Sequence, residues 1–233
     1  MFRSISCLLV LAVAAVASAA PCDTLIKQEI PFGPGTPNYV STLTFLKYPG
    51  PASDICSIKV KTNLNVSGGI LIVDNDGANP ASFDAHLGGT LSISSVDVPL
   101  LNAAFQPVTS PVTVQTAQHF NLAGDDGDGT LLQGFPPDPS APDGGTMFGV
   151  AGSNMDMGFI NSVLFGSYAG GGTFDILADV TQFSDTGGYG GAETSFSSIL
   201  AGGSVRIEMI VPEPASLSLL GLGAIAFLRR RSA

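Results

Sequence analysis

The sequence has no tryptophan, only four tyrosines and two histidines, and charged residues make up just 12% of the chain. Few aromatic side chains are therefore present to stack on sugar rings, which disfavours a lectin or a glycosidase. The three cysteines form no Cys-x-x-Cys pair and no cluster with histidine, so the pattern of a structural zinc site is missing. The Gly-x-Ser-x-Gly elbow of many serine hydrolases is also missing.

Long helices are disfavoured between residues 20 and 210, because most of the 29 glycines and 16 prolines of the 233-residue chain lie there. What is present is apolar-polar alternation, which is clearest from Ile58 to Val66 and is typical of a strand with one exposed face. Similar runs occur at residues 112–118, 174–180 and 205–211, with weaker ones at 25–30, 39–47, 70–74, 83–94 and 158–165.

Turn-forming glycine, proline, asparagine and aspartate residues separate these runs. The pattern predicts about ten short strands in one all-β domain, a β-sandwich or jelly roll, over residues 20–210. We interpret the proline- and aspartate-containing stretch 134–145 as a long surface loop.

The N-terminus has the layout of a secretory signal peptide over residues 1–19. Arg3 precedes an apolar run, and the segment ends in the small residues Ala17, Ser18 and Ala19. Cleavage by signal peptidase is predicted after Ala19, because cleavage after Ala20 would place Pro21 directly behind the cut.

Basic residues are scarce in the chain that remains after export. Residues 20–214 include five basic and nineteen acidic residues, which gives a net charge of −14. The basic residues are Lys27, Lys47, Lys59, Lys61 and Arg206. This charge predicts a domain that nucleic acids and anionic membranes repel.

Two cysteines remain after export, because Cys7 leaves with the signal peptide. Cys22 and Cys56 form an even pair in an oxidising compartment, which predicts one disulfide. The alternative is two thiols that lie too far apart to be bridged.

The C-terminal segment, residues 211–233, joins three features in a fixed order. A box of Pro212, Glu213 and Pro214 precedes 14 mostly apolar residues, 215–228, and the arginines Arg229, Arg230 and Arg231 follow. The apolar run predicts a helix of about 21 Å, which is short for a hydrocarbon core of ~30 Å. The arginines favour the cytoplasmic side, so the box and the domain before it lie outside the cell membrane.

This segment resembles the PEP-CTERM sorting signal of Gram-negative bacteria that make exopolysaccharide. The resemblance implies recognition by exosortase, a membrane protease-transpeptidase, with the segment held transiently in the inner membrane before it is cut. Exopolysaccharide is a further partner that the resemblance implies. The alternative interpretation is an ordinary membrane anchor that is never cut.

The exported part resembles the bacterial surface proteins with a choice-of-anchor E domain. The matching pieces are residues 41–45, 73–79, 119–120, 128–130, 193–196 and 203–205. This resemblance implies an all-β extracellular domain without assigned catalytic residues. The loop at 134–145 departs from the family pattern.

Two sets of residues could in principle support chemistry, an acidic turn for calcium binding and two histidines for catalysis. The acidic turn with Asp125, Asp126 and Asp128 alternates aspartate with glycine, as calcium loops do, but proline stands where an EF-hand needs its bidentate glutamate. We therefore interpret it as an acidic turn, with a weak calcium site as the alternative. His86 and His119 fall within predicted strands and are interpreted as plain strand residues, so neither a catalytic centre nor a cofactor is expected.

The sequence thus predicts an exported, exosortase-sorted protein of the cell envelope or extracellular matrix with a structural or adhesive role and no enzymatic activity. The alternative function is a carbohydrate- or calcium-dependent binding module, and a hydrolase is a third and weaker hypothesis.

Overall fold

A computed structural model of the chain describes residues 22–127 and 137–213. The predicted signal peptide, the apolar run 215–228 and the three terminal arginines lie outside the described residues. Within them, nine strands form two antiparallel sheets, which confirms the prediction of an all-β sandwich. No helix in this part of the chain is long and apolar enough to cross a membrane.

Strands β1, β3, β6, β8 and β9 build the first sheet, sheet A, and the other four strands build sheet B. The nine strands are β1 Cys22–Gly35, β2 Tyr39–Leu46, β3 Ser57–Asn75, β4 Ala81–Ser94, β5 Val112–Leu122, β6 Gly144–Phe159, β7 Thr173–Asp185, β8 Ala192–Phe196 and β9 Ile199–Pro212. The order in sheet A is β1-β9-β3-β6, with β8 also paired to β3, and the order in sheet B is β2-β7-β4-β5.

Strand β3 is the centre of sheet A and is longer than its sequence pattern predicts. Its first part buries alternate residues from Ile58 to Val66, whereas its second part buries Leu71 and Val73, so the buried parity changes in between. Gly68 and Gly69 occupy the change with φ values of +78° and +82°, a backbone region that glycine adopts without steric cost. Two predicted strands are therefore one strand with an irregularity.

The core between the sheets is apolar and well supplied with phenylalanine. Phe45 of β2 and Phe174 of β7 stack with ring centroids 5.6 Å apart, and Tyr168 meets Phe174 edge-on at 5.3 Å. The buried Tyr168 hydroxyl donates to the Pro99 carbonyl at 2.7 Å, which satisfies the one polar atom that this ring brings into the core.

The strand predicted at 158–165 is wrong. Strand β6 ends at Phe159, and Ser162–Tyr168 forms a 3₁₀ helix instead. The Asn161 side chain accepts a hydrogen bond from the Val163 amide at the start of that helix. Phe165 and Tyr168 are its buried residues, and their spacing of three is the period of a 3₁₀ helix, which the search for alternation missed.

The predicted surface loop 134–145 is wrong in part. Strand β6 already begins at Gly144, and Asp143 is buried with its carboxylate accepting from the Asp126 amide at 2.8 Å. The amide of Asp138 donates to the Asp74 carboxylate at 3.1 Å. Residues 137–143 therefore pack onto the end of β3, where the Asp74 carboxylate accepts from Asp138 and the Asn75 amide donates to the Asp143 carbonyl.

Candidate functional site

The last strand of the sandwich runs directly into the proline box. Strand β9 ends at Pro212, two residues beyond the boundary at 210 that the sequence predicts, and Glu213 follows it at once. Pro212 has an extended backbone. A proline is tolerated at the end of a strand, because its φ is fixed near −65° and it has no amide proton to donate to the sheet. No spacer therefore separates the folded domain from the box.

Both neighbours of β9 are joined by a disulfide beside this exit. In the register of the sheet Cys22 of β1 lies opposite Pro212, and the Cys56 amide just before β3 donates to the Ile210 carbonyl at 2.8 Å. Cys22 and Cys56 are bonded, with their Cα atoms 6.2 Å apart. The bond spans β9 and closes the sheet around its final residues.

The outer face of sheet A carries a lattice of ion pairs, which we call the charge lattice: Lys27, Glu29, Lys59, Lys61, Arg206 and Glu208. Arg206 lies at its centre, with its guanidinium 2.9 Å from Glu29 Oε2 and 3.4 Å from Glu208 Oε1. The Glu208 side chain is only 12% exposed, because Lys59, Lys61 and Arg206 surround its carboxylate.

These contacts lower the pKa of both carboxyls. The Ser204 hydroxyl, which donates to Glu29 at 3.0 Å, acts with Lys27 and Arg206 to lower the pKa of Glu29. Burial alone would raise the pKa of Glu208, but Lys61, Arg206 and Lys59 outweigh it and lower the value. Because both folded values lie below the ordinary 4.5, the stability that these groups contribute is present above that pH and is lost as the pH falls through the lowered values.

A cavity of about 370 Å³ adjoins the charge lattice on the same face. Neutral polar side chains from β3, β6 and β9 line it, namely Asn63, Ser153, Asn154 and Ser204, and Met155 contributes an apolar wall. Lys61, Arg206 and Glu29 of the charge lattice complete the lining. Hydrogen-bond donors and acceptors thus stand next to fixed charges.

An acidic cluster lies at the opposite end of β3 from the proline box. Carboxylate oxygens of Asp74, Asp76 and Glu193 lie within 4.8 Å of one another, so the three groups could hold a metal ion. Asp74 is only 1% exposed. Burial and the nearby charges of Asp143 and other aspartates raise the pKa of Asp74, and burial likewise raises the pKa of Asp76.

The acidic turn predicted as an alternative calcium site is partly used for other contacts. The Asp125 carboxylate accepts from the Gly127 amide at 2.8 Å, and Asp126 contacts Asp143 through its own amide. Asp128 lies outside the described residues. The residues brought together as possible metal ligands are Asp74, Asp76 and Glu193. From sequence, Asp74 and Asp76 indicate a turn, with calcium binding as the weaker alternative, and Glu193 could not be linked to them because it is more than a hundred residues away in the chain.

Sheet B places Ser82, His119 and Asp84 in the order of a hydrolase triad, which the sequence did not indicate. His119 Nδ1 lies 2.8 Å from Asp84 Oδ1, and its Nε2 lies 3.1 Å from Ser82 Oγ. The Ser82 hydroxyl also contacts Asn121 Oδ1 at 2.9 Å. The His119 and Asp84 side chains are 55% and 61% exposed, so water solvates the charges that a triad needs in a dry site. The three residues form a hydrogen-bonded row of polar side chains on the exposed surface of β4 and β5.

The comparison with protein families decides the nature of the C-terminal segment. Residues 211–232 match the PEP-CTERM protein-sorting motif. The motif covers the box that follows β9 and the residues after it, and it indicates an exported protein that an exosortase processes. The destination that it implies is the cell envelope or the extracellular space.

Other comparisons add no function. No curated protein matches the chain. A structure of infectious bursal disease virus Gx strain is 14% identical with a TM-score of 0.16, over 93% of this chain and 48% of the viral chain. A VP2 subviral particle of the same virus is 14% identical with a TM-score of 0.13, over 99% and 54%. The chain spans about half the length of these viral chains, and TM-scores this low carry no argument.

Proposed function

We propose that this protein is a structural or adhesive component of the cell surface or extracellular matrix, sorted through exosortase by its PEP-CTERM motif. The observation that supports this role is the position of β9. The strand that leads to the sorting motif is paired along its length with β1 on one side and with β3 on the other. A pull on the C-terminal end therefore loads many ladder hydrogen bonds together, which suits a domain that is held by this end.

In this proposal, signal peptidase removes residues 1–19, and the inner membrane holds the apolar run 215–228 until exosortase acts. The choice-of-anchor E resemblance of the exported part stays a prediction. The disulfide beside the box keeps this end of sheet A closed while the tail is processed, because it holds β1 and β3 together on either side of the end of β9.

Intact mass of the exported protein tests the proposal. In a host that has exosortase, the protein recovered from the envelope or medium is expected to begin at Ala20 and to lack Arg229, Arg230 and Arg231. An otherwise identical host without exosortase provides the control and is expected to retain the arginines. Recovery of the same uncut tail from both hosts would show that the segment is a plain anchor.

We also propose that the domain is not an enzyme, because the Ser82–His119–Asp84 group is open to water. A fluorophosphonate probe, which reacts with activated serines, is expected to leave Ser82 unlabelled at concentrations that label a serine hydrolase fully. Labelling of Ser82 that disappears in a folded His119→Asn protein would contradict this.

A calcium-dependent binding module is a second candidate function, and the cluster of Asp74, Asp76 and Glu193 favours it. If calcium binds there, millimolar calcium is expected to raise the unfolding temperature of the wild type and to leave that of Glu193→Gln unchanged. Asp179→Asn, on an exposed position of β7, is a control with the same charge change. An equal response of all three proteins to calcium and to magnesium would exclude a specific site.

A further inference from the structure

The few basic residues of the domain are gathered on one face. Of the five lysines and arginines between residues 22 and 213, four belong to the charge lattice on the outer face of sheet A. Lys47, which follows β2, is the fifth.

The register of three strands produces the arrangement. Glu208 of β9 lies between Lys27 of β1 and Lys59 of β3, and the next outward-facing row places Arg206 between Glu29 and Lys61. Opposite charges alternate in the first row. In the second row Arg206 contacts Glu29, while Lys61 contacts Glu208 of the first row, so every cation has a carboxylate partner. The two rows form one continuous surface on the strands that also support the sorting motif.

The charges of the lattice do not cancel. Four cations share two carboxylates, so the lattice has a net charge of 4 − 2 = +2, while the exported chain as a whole has −14. Glu208 is shared by Lys59, Lys61 and Arg206, which leaves ammonium and guanidinium protons free to bind a further acceptor. A multivalent anion of moderate charge density fits this balance.

The groups beside the lattice indicate what kind of anion fits. The cavity of about 370 Å³ offers amide and hydroxyl groups of Asn63, Ser153 and Ser204 next to Lys61 and Arg206. Neutral amides and hydroxyls suit the many hydroxyl groups of a sugar, and the cations suit its carboxylates.

An apolar strip completes the face along β6. Met155, Met157 and Phe159 are each more than half exposed, and they lie opposite Asn63, Lys61 and Lys59 of β3. The Lys59 ammonium lies 5.3 Å from the centre of the Phe159 ring, so charge and apolar surface adjoin directly. Such a strip can pack against the C–H face of a sugar ring while the polar groups bind its edge.

We propose that this outer face of sheet A binds an acidic polysaccharide, with uronate carboxylates on Lys61 and Arg206 and sugar hydroxyls in the adjoining cavity. The inference names a ligand class for the proposed extracellular role and rests on it. Nucleic acid is a poorer fit, because its dense phosphates would be repelled by the acidic remainder of the domain. The absence of tryptophan is compatible with the proposal, since the contacts are ionic and polar rather than dominated by stacking.

Binding to polygalacturonate tests the proposal, with the exported protein, its disulfide intact, titrated by calorimetry at low ionic strength. We expect binding of the acidic polymer and none of dextran or of the fully methyl-esterified polymer. Lys61→Gln is expected to weaken binding at least about tenfold, the size of one lost charge-assisted hydrogen bond. Raising the salt to 1 M is expected to abolish binding, because the screening length falls to about 3 Å.

Lys47→Gln is the matched control, since it removes the same charge from the cation that lies outside the lattice, and it is expected to change affinity less than about twofold. If Lys61→Gln does not fold, Asn63→Ala in the adjoining cavity replaces it. Equal loss in Lys47→Gln, equal binding of the esterified polymer, or binding to anionic lipid vesicles alone would each overturn the proposal. Because processing of the tail is measured separately by mass, failure here leaves the sorting function standing.

Discussion

Replacing Cys22 and Cys56 together by serine is expected to lower the unfolding temperature by about 10 °C. The bond closes a loop with a sequence separation of 34 residues. The loop-entropy model gives about 3.5 kcal/mol for such a closure, and each kcal/mol shifts the midpoint of a domain of this size by about 2–4 °C. Scanning calorimetry of the exported protein measures the shift.

The position of the disulfide predicts which part of the domain loses stability when the bond is removed. Without it, β1 and β3 are free to separate beside Pro212, so the amides of Ile210 and Val211 are expected to exchange hydrogen faster, while those around Phe45 keep their protection. Reducing the wild type should reproduce the effect, and the same reductant should leave the serine protein unchanged. An unchanged midpoint in fully reduced wild type would contradict the prediction.

Changing Pro212 and Pro214 to alanine is expected to stop processing almost completely. Each proline disfavours helix in the residue before it, so we expect an extended box between β9 and the apolar run. With alanines, the helix predicted for the apolar run can extend towards the domain, or β9 can extend beyond Pro212. Either change would remove the extended, unpaired conformation that we expect the protease to bind. The uncut precursor, which keeps Arg229 to Arg231, should accumulate in the inner membrane and is measured by intact mass after fractionation.

Pro49→Ala together with Pro111→Ala is the matched control, because both prolines are exposed and far from the box in the sequence. This protein is expected to be processed like the wild type. Replacing the three arginines by glutamine should instead release uncut protein to the periplasm, since the positive charges that hold the segment are gone. Normal trimming of the alanine-box and the arginine variants would refute recognition of the motif.

Much of the fold is predictable from alternation, because a strand with one buried face must repeat every second residue. Ile58 to Val66 and Phe174 to Val180 are clear examples, and both runs lie within observed strands. The strand predicted at 158–165 failed because Phe165 and Tyr168 are spaced for a 3₁₀ turn, which a period-two pattern cannot distinguish from short apolar runs. The length of β3 was missed because Gly68 and Gly69 interrupt the alternation while the strand continues.

Some of the candidate sites could likewise be predicted from sequence, and others could not. The sorting box can be found from sequence because its residues are adjacent, and the single pair of exported cysteines could be proposed by counting. The charge lattice could not be predicted from sequence, because Lys27, Lys61 and Arg206 lie close together only through the pairing of β1, β9 and β3. The same holds for Asp74 with Glu193 and for Ser82 with His119, which are neighbours across strands.

By itself, the sequence determined that this protein is all-β and that its last segment has the pattern of a sorting signal, because both properties depend on residues that are close together in the chain. Tertiary structure alone decided that the strand leading to the signal lies between β1 and β3, beside the disulfide that joins them. It also decided that four scarce cations share one face, since strand register is set by the packing of the whole sheet and not by any one segment.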